Sequence, residues 1–137
     1  MIPQQKMLIQ KTWSQVVPIA DQAAAIFYQR LFEIDPSTRP LFKTTDMAQQ
    51  RKKLLQILGV AVSSLDNLGA LSKTVEDLGR RHAGYGVRIE HYASVEECLL
   101  HTVRTLTGSD FNFDVQLAWT TIYNFIAQTM IEASVEH

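Results

Sequence analysis

The prolines of this 137-residue chain fall at Pro3, Pro18, Pro36 and Pro40, and none occurs later. Proline has no amide proton to give a helix interior, and its ring collides with the preceding turn. The first third must therefore be cut into short helices, and everything after Pro40 is free to form long ones. Apolar residues at three- and four-residue spacing run through both parts, the period of a helix with one buried face. No stretch alternates strictly enough to predict a strand.

Leu8, Lys11 or Thr12, and Val16 share a face with Trp13 beside it, predicting a first helix to about Val17. Pro18 opens the next, in which Ala23, Phe27, Leu31 and Ile34 recur. Asp35-Pro36 reads as an N-cap with a first-turn proline. It predicts a short third helix that Pro40 helps to end. A long helix runs from Asp46 to about Leu65, with Leu54, Leu58, Ala61 and Leu65 on one stripe. Leu71, Val75 and Leu78 mark a shorter one ending at His82, after which Gly84 and Gly86 let the backbone turn. Another long helix starts near Glu90 and carries Val95, Leu99, Val103 and Leu106. Gly108 stops it, and Ser109 or Asp110 is expected to cap the last helix. That helix carries Leu117 or Ala118, Ile122, Phe125 or Ile126, and Thr129 or Met130. The expectation is an all-α chain of six or seven helices, a single domain over 1–137, with no internal repeat.

Composition removes several functional classes. The net charge of −1 gives no bias toward nucleic acid, and Arg51-Lys52-Lys53 and Arg80-Arg81 are local clusters of the kind that decorate solvated helices. No apolar run approaches a membrane span or a signal peptide. Cys98 is the only cysteine, so no intramolecular disulfide can form. A cytoplasmic protein is the expectation.

Motif chemistry is excluded in the same way. There is no Cys-x-x-Cys pair, no His-Glu-x-x-His and no glutamate three residues before a histidine. There is no phosphate loop, no Gly-x-Ser-x-Gly elbow and no Cys-x-x-Cys-His attachment for c-type haem. Four histidines remain: His82, His91, His101 and His137. His101 is expected at an exposed position and His137 is terminal, so neither is singled out. A lone histidine at a helix C-terminus, such as His82, ordinarily complements the helix dipole. Tyr28 reads as a core tyrosine and Gln50 as a boundary polar residue, with Gln49 able to take its place one register away. Phe42 follows Pro40-Leu41 and must pack on something.

Taken together, these residues resemble a globin, specifically the bacterial single-domain globins akin to flavohaemoglobin haem domains and to neuroglobin. The resemblance covers nearly the whole chain. It rests on Leu31-Phe32 with Pro36, on Pro40-Leu41-Phe42, and on Leu78-Gly79-Arg80-Arg81-His82 with Gly86-Val87. It continues through His91-Tyr92 and Leu99-Leu100 to Ala118-Trp119 with Tyr123.

The resemblance implies a globin fold around a haem pocket holding haem b, iron protoporphyrin IX. It implies that His82 is the proximal iron ligand, its other ring nitrogen donating to the Leu78 carbonyl. Phe42 packs on the haem plane, Tyr28 and Gln50 form the distal polar pair, and Leu54 is the distal wall. Leu58 also contacts the cofactor, and Leu78, Val87 and Tyr92 pack on the proximal side. Lys53 and Arg81 stand between two roles, solvated surface or partners of the haem propionates. The implied function is reversible binding of dioxygen at a five-coordinate ferrous iron, with carbon monoxide and nitric oxide as further ligands. The alternative is a nitric oxide dioxygenase served by an external reductase. A gas sensor ranks lower. The chain is expected to be a monomer or weak dimer. Where flavohaemoglobin haem domains carry a proximal glutamate this chain has Ser134, with Glu132 and Glu136 on either side.

Overall fold

The computed structural model describes residues 1–135; Glu136 and His137 lie outside the described residues. Among the described residues there are six α-helices and no strand: α1 (Pro3–Val16), α2 (Ala20–Ile34), α3 (Met47–Ser63), α4 (Ser72–Gly84), α5 (His91–Thr107) and α6 (Phe113–Ser134). Short 3-10 segments join them at Val17–Ile19, Pro36–Phe42, Leu68–Leu71 and Gly108–Asp110. Pro3 opens α1, whereas Pro18, expected to open the second helix, lies in the 3-10 turn before it, and α2 begins at Ala20. Pro40 does not end the third segment but sits inside it.

The helix boundaries follow from the caps. The Asp46 carboxylate accepts the amides of Ala48 and Gln49 at 3.0 and 3.4 Å and starts α3. The last helix is capped by Asn112, whose side chain accepts the Val115 amide at 2.9 Å. Ser109 and Asp110 are instead spent in the 3-10 turn after Gly108, and the Asp110 carboxylate accepts from the Gln15 amide at 3.0 Å. Asp35 caps no helix with its side chain. Its carbonyl accepts the Thr38 amide, while its carboxylate is drawn to the Ser37 and Ser94 hydroxyls.

The core is centred on α6, which buries Val115, Ala118, Trp119, Ile122, Tyr123, Ala127, Met130 and Ala133. The Trp119 indole donates to the buried Thr12 hydroxyl at 2.9 Å, which donates in turn to the Leu8 carbonyl at 2.7 Å. This chain fixes α1 on α6 with both polar groups satisfied. Ile9 rather than Leu8 is the more deeply buried residue of α1, while Ile34 and Leu117 face solvent. His101 is half-buried rather than exposed.

Helix α2 packs across α5, α3 packs on α2, and α4 packs on α6. Helices α3 and α4 are not among the extensively packed pairs. The contact of α4 with α6 is unusually close. A Cβ on Gly79 would stand 2.4 Å from the Met130 carbonyl oxygen and 2.6 Å from its Cα. Since those atoms are backbone, neither can move aside without shifting a helix. Gly79→Ala should therefore lower stability on the order of 1–3 kcal/mol. Gly84→Ala, where nothing lies within 4 Å, should be neutral or slightly stabilising. Urea midpoints of the two variants check this, and equal midpoints would contradict the close approach.

Candidate functional site

Where α3 and α4 pack only lightly, both helices and the segments beside them carry half-buried side chains. Leu54, Leu58, Leu78, Phe42 and Tyr92 pack on the core with one flank and leave the other open. Gln50, His82 and Val87 are also half-buried, whereas Lys53 and Arg81 are exposed. A strip of partly covered apolar surface inside a helical fold marks a ligand crevice.

On the α3 side, Tyr28 is the centre. It is 6% exposed and stands edge-on to Phe27 and Phe42, with centroids 5.0 and 5.5 Å away. Phe32 completes the cluster, 5.6 Å from Phe42, with the Arg39 guanidinium over its outer face. The Gln50 amide donates to the Tyr28 phenol oxygen at 3.1 Å. Gln50 is thus the inward residue and Gln49 is exposed. Burial raises the phenol above its ordinary range, and the Gln50 bond offsets this only in part. The phenol keeps its proton at neutral pH, and that proton has no acceptor among the described residues.

On the α4 side, His82 Nδ1 lies 2.8 Å from the Leu78 carbonyl. A carbonyl only accepts, so Nδ1 carries the hydrogen. In the neutral ring Nε2 is then the lone-pair nitrogen, and it has no hydrogen-bond partner among the described residues. Burial depresses the imidazole pKa; the Leu78 bond opposes this and neighbouring Arg81 adds to it. The ring is therefore neutral, with one nitrogen tied back and the other available as a ligand.

The helix ends immediately beyond. The Gly86 amide bonds the Ala83 carbonyl and the Val87 amide bonds the His82 carbonyl, at 3.1 and 3.0 Å. This is a Schellman closure, with Gly86 at φ 96° supplying the positive dihedral. The last turn that carries His82 is closed through His82's own carbonyl.

No hydrogen bond or ring contact joins the Tyr28–Gln50–Phe42 group to the His82 group. Leu54 and Leu58 also face an apolar cavity with Trp13, Phe27, Val103 and Trp119, which His82 and Leu78 do not line. Tyr92 is anchored through its backbone, its carbonyl accepting the Tyr123 hydroxyl at 2.6 Å. Glu132 accepts from Gln128 and Ser134 donates to the Ile131 carbonyl. Neither reaches Tyr92 or His82, and Glu136 lies outside the described residues. The Cys98 thiol is buried and pushed up to about 12, which removes it as a nucleophile.

Sequence reasoning named His91 in the His91-Tyr92 motif but gave it no role. It is 4% exposed. Its Nδ1 accepts the Arg88 amide at 2.9 Å, and its Nε2 lies 3.3 Å from Ser37 Oγ.

The fold and site define a helical protein with a ligand-ready imidazole on α4 and a phenol–amide pair where α2 meets α3. The family model for globins matches residues 25–130. The chain belongs to the globin family. It is 34% identical to a flavohemoprotein of Vibrio cholerae over 108 residues, covering 77% of this chain but 27% of that protein. It is 28% identical to neuroglobin of Dissostichus mawsoni, covering 91% and 87% of the two chains. Among solved structures it is similar to an engineered carbene transferase from Rhodothermus marinus, derived from a protein described as a nitric oxide dioxygenase. That match has a TM-score of 0.85 at 28% identity and covers 98% of this chain and 93% of the other.

Gly86→Ala should cost about 1 kcal/mol, because an L side chain is strained at that dihedral. Hydrogen exchange at the Val87 amide should quicken with it. Unchanged protection there would show that the closure does not depend on the glycine.

Proposed function

We propose that this globin holds haem b in the crevice between α3 and α4 through His82 and reversibly binds dioxygen there. The observation that carries the reading is the His82 ring. It is neutral, its Nδ1–H is spent on the Leu78 carbonyl, and its Nε2 lone pair is free. Among the described residues no three His, Cys, Asp or Glu side chains come together around a metal ion. A single imidazole therefore suits a metal that brings its other ligands with it, as a porphyrin does. The half-buried faces of Phe42, Leu54, Leu58, Leu78, Val87 and Tyr92 suit a flat apolar ring. Exposed Lys53 and Arg81 stand beside lining residues and suit its two carboxylates.

Haem, when bound, supplies an iron that takes diatomic gases. The protein's part is selection. Gln50 donates to the Tyr28 oxygen and so leaves the phenol proton as a donor toward a ligand in the crevice. A polarised diatomic such as dioxygen gains from that proton, and carbon monoxide gains far less. In a site closed to water such a bond contributes on the order of 1–2 kcal/mol. Nitric oxide belongs to the same ligand class.

A second reading, nitric oxide dioxygenase with an external reductase, is supported by the likeness to the Rhodothermus and Vibrio proteins. Because the chain spans 27% of the Vibrio protein, that protein's whole activity does not transfer with the match. Sustained nitrate formation beyond one equivalent, with a supplied reductase, would favour this reading. A single stoichiometric burst would favour oxygen storage.

Protein purified from haem-replete cells should show a Soret band, and His82→Ala should lose it while remaining helical. An unchanged Soret band in His82→Ala would overturn the ligand assignment. Tyr28→Phe should speed dioxygen release by roughly tenfold and carbon monoxide release by much less. Equal acceleration of both gases would show that the phenol acts by packing and not by hydrogen bonding.

A further inference from the structure

A polar circuit centred on the buried His91, outside the crevice, joins the three segments that form its mouth. The segment Pro36–Phe42 carries Phe42, the turn after α4 carries Val87, and the start of α5 carries Tyr92. The first two lie close together, since Leu41 Cδ2 is 3.5 Å from where a Gly86 Cβ would stand. His91, at the first position of α5, binds all three. Its Nδ1 accepts the Arg88 amide, so Nδ1 is unprotonated and Nε2 carries the hydrogen. Nε2–H therefore donates to Ser37 Oγ at 3.3 Å, and the Ser37 hydroxyl donates on to Asp35 Oδ1. Ser94, one turn into α5, donates to the other Asp35 oxygen at 2.8 Å and closes the circuit. Every donor meets an acceptor, and one ring spans two facing lips.

We propose that His91 is a positioning residue, a latch that holds the segment 36–42 against the turn 85–90 and sets how fast a bound haem leaves. The inference rests on the haem reading of the crevice. A planar group can escape only when those lips part, and parting them stretches the His91–Ser37 bond and exposes the Arg88 amide. The His91 side chain hydrogen-bonds Ser37 and Arg88 and no residue assigned to the crevice wall, so its effect passes through the segments it joins.

The test uses full-length holoprotein and measures transfer of haem to an excess of an apoglobin acceptor. Breaking either end of the bond, with His91→Phe or Ser37→Ala, should speed haem loss about five- to tenfold. The double variant should lose haem no faster than the faster single variant, because both remove one link. His91→Gln should restore the wild-type rate. Its carbonyl can replace Nδ1 as acceptor and its amide can replace Nε2–H as donor, at nearly the same separation. Arg88 amide exchange, read in the same variants with or without haem, should quicken in His91→Phe and return in His91→Gln. Since Ser37 is exposed, Ser37→Ala tests the link even where His91→Phe fails to fold. Wild-type haem loss in Ser37→Ala, or additive effects in the double variant, would overturn the latch. A wild-type protein without a Soret band would overturn the haem reading instead, and the Arg88 exchange would still decide whether the latch exists.

Discussion

The site depends on α4 being held from one side only. Gly79 lets its backbone come against the Met130 backbone of α6 more closely than any side chain permits. Nothing equivalent draws α4 toward α3. A helix clamped on one face and packed only lightly on the other presents that other face as a wall. His82 lies one turn beyond Gly79, near enough to the clamp to inherit its rigidity, and the Schellman closure at Gly86 stops the helix from fraying past it. Precision at His82 thus comes from two glycines, one through absence of volume and one through freedom of dihedral.

The opposite wall is built by different means. Helix α3 lies on α2 through ordinary side-chain packing, and its polar residue is oriented by a partner on α2, the Tyr28 phenol. The aromatic cluster of Tyr28, Phe32 and Phe42 joins that wall to the segment 36–42. One wall is fixed by backbone and the other by rings and an amide, so substitutions should act differently on the two. On α4 they move the helix, whereas on α2 and α3 they change what the crevice offers a ligand.

Much of this was legible in the sequence, because apolar period and proline placement are strong local signals. The helices, the start of α3 at Asp46, the turn at Gly86 and the Gln50–Tyr28 pairing all followed from residue type and spacing, or from the family resemblance those residues carry. The failures share a physical cause. Asp35, Ser109, Asp110 and Asn112 are all competent caps, and tertiary partners decide which one serves. Asp110 is drawn to Gln15, Asp35 to Ser37 and Ser94, and Asn112 is left with the amide of Val115. Ile34 and Leu117 fit the apolar period yet face solvent, because no element packs over those turns. The role of His91 was hidden for the same reason, its partner Ser37 being distant in sequence.

The electrostatics of the crevice bear on which chemistry suits it. Burial keeps the Tyr28 phenol protonated and the His82 imidazole neutral, so the interior offers dipoles and not charges. Fixed dipoles in a dry site discriminate between ligands by polarity at little cost in reorganisation. The imidazole, moreover, is backed by a carbonyl. A carboxylate partner would draw its Nδ1 proton more strongly and make Nε2 a richer donor. Among the described residues no carboxylate bears on His82 or Tyr92, since Ser134 turns to Ile131 and Glu132 to Gln128. In the proposed reading this combination favours holding an oxygen molecule over activating it. Oxidative turnover on this scaffold would then depend on the electron supply from a partner more than on the basicity of its own histidine.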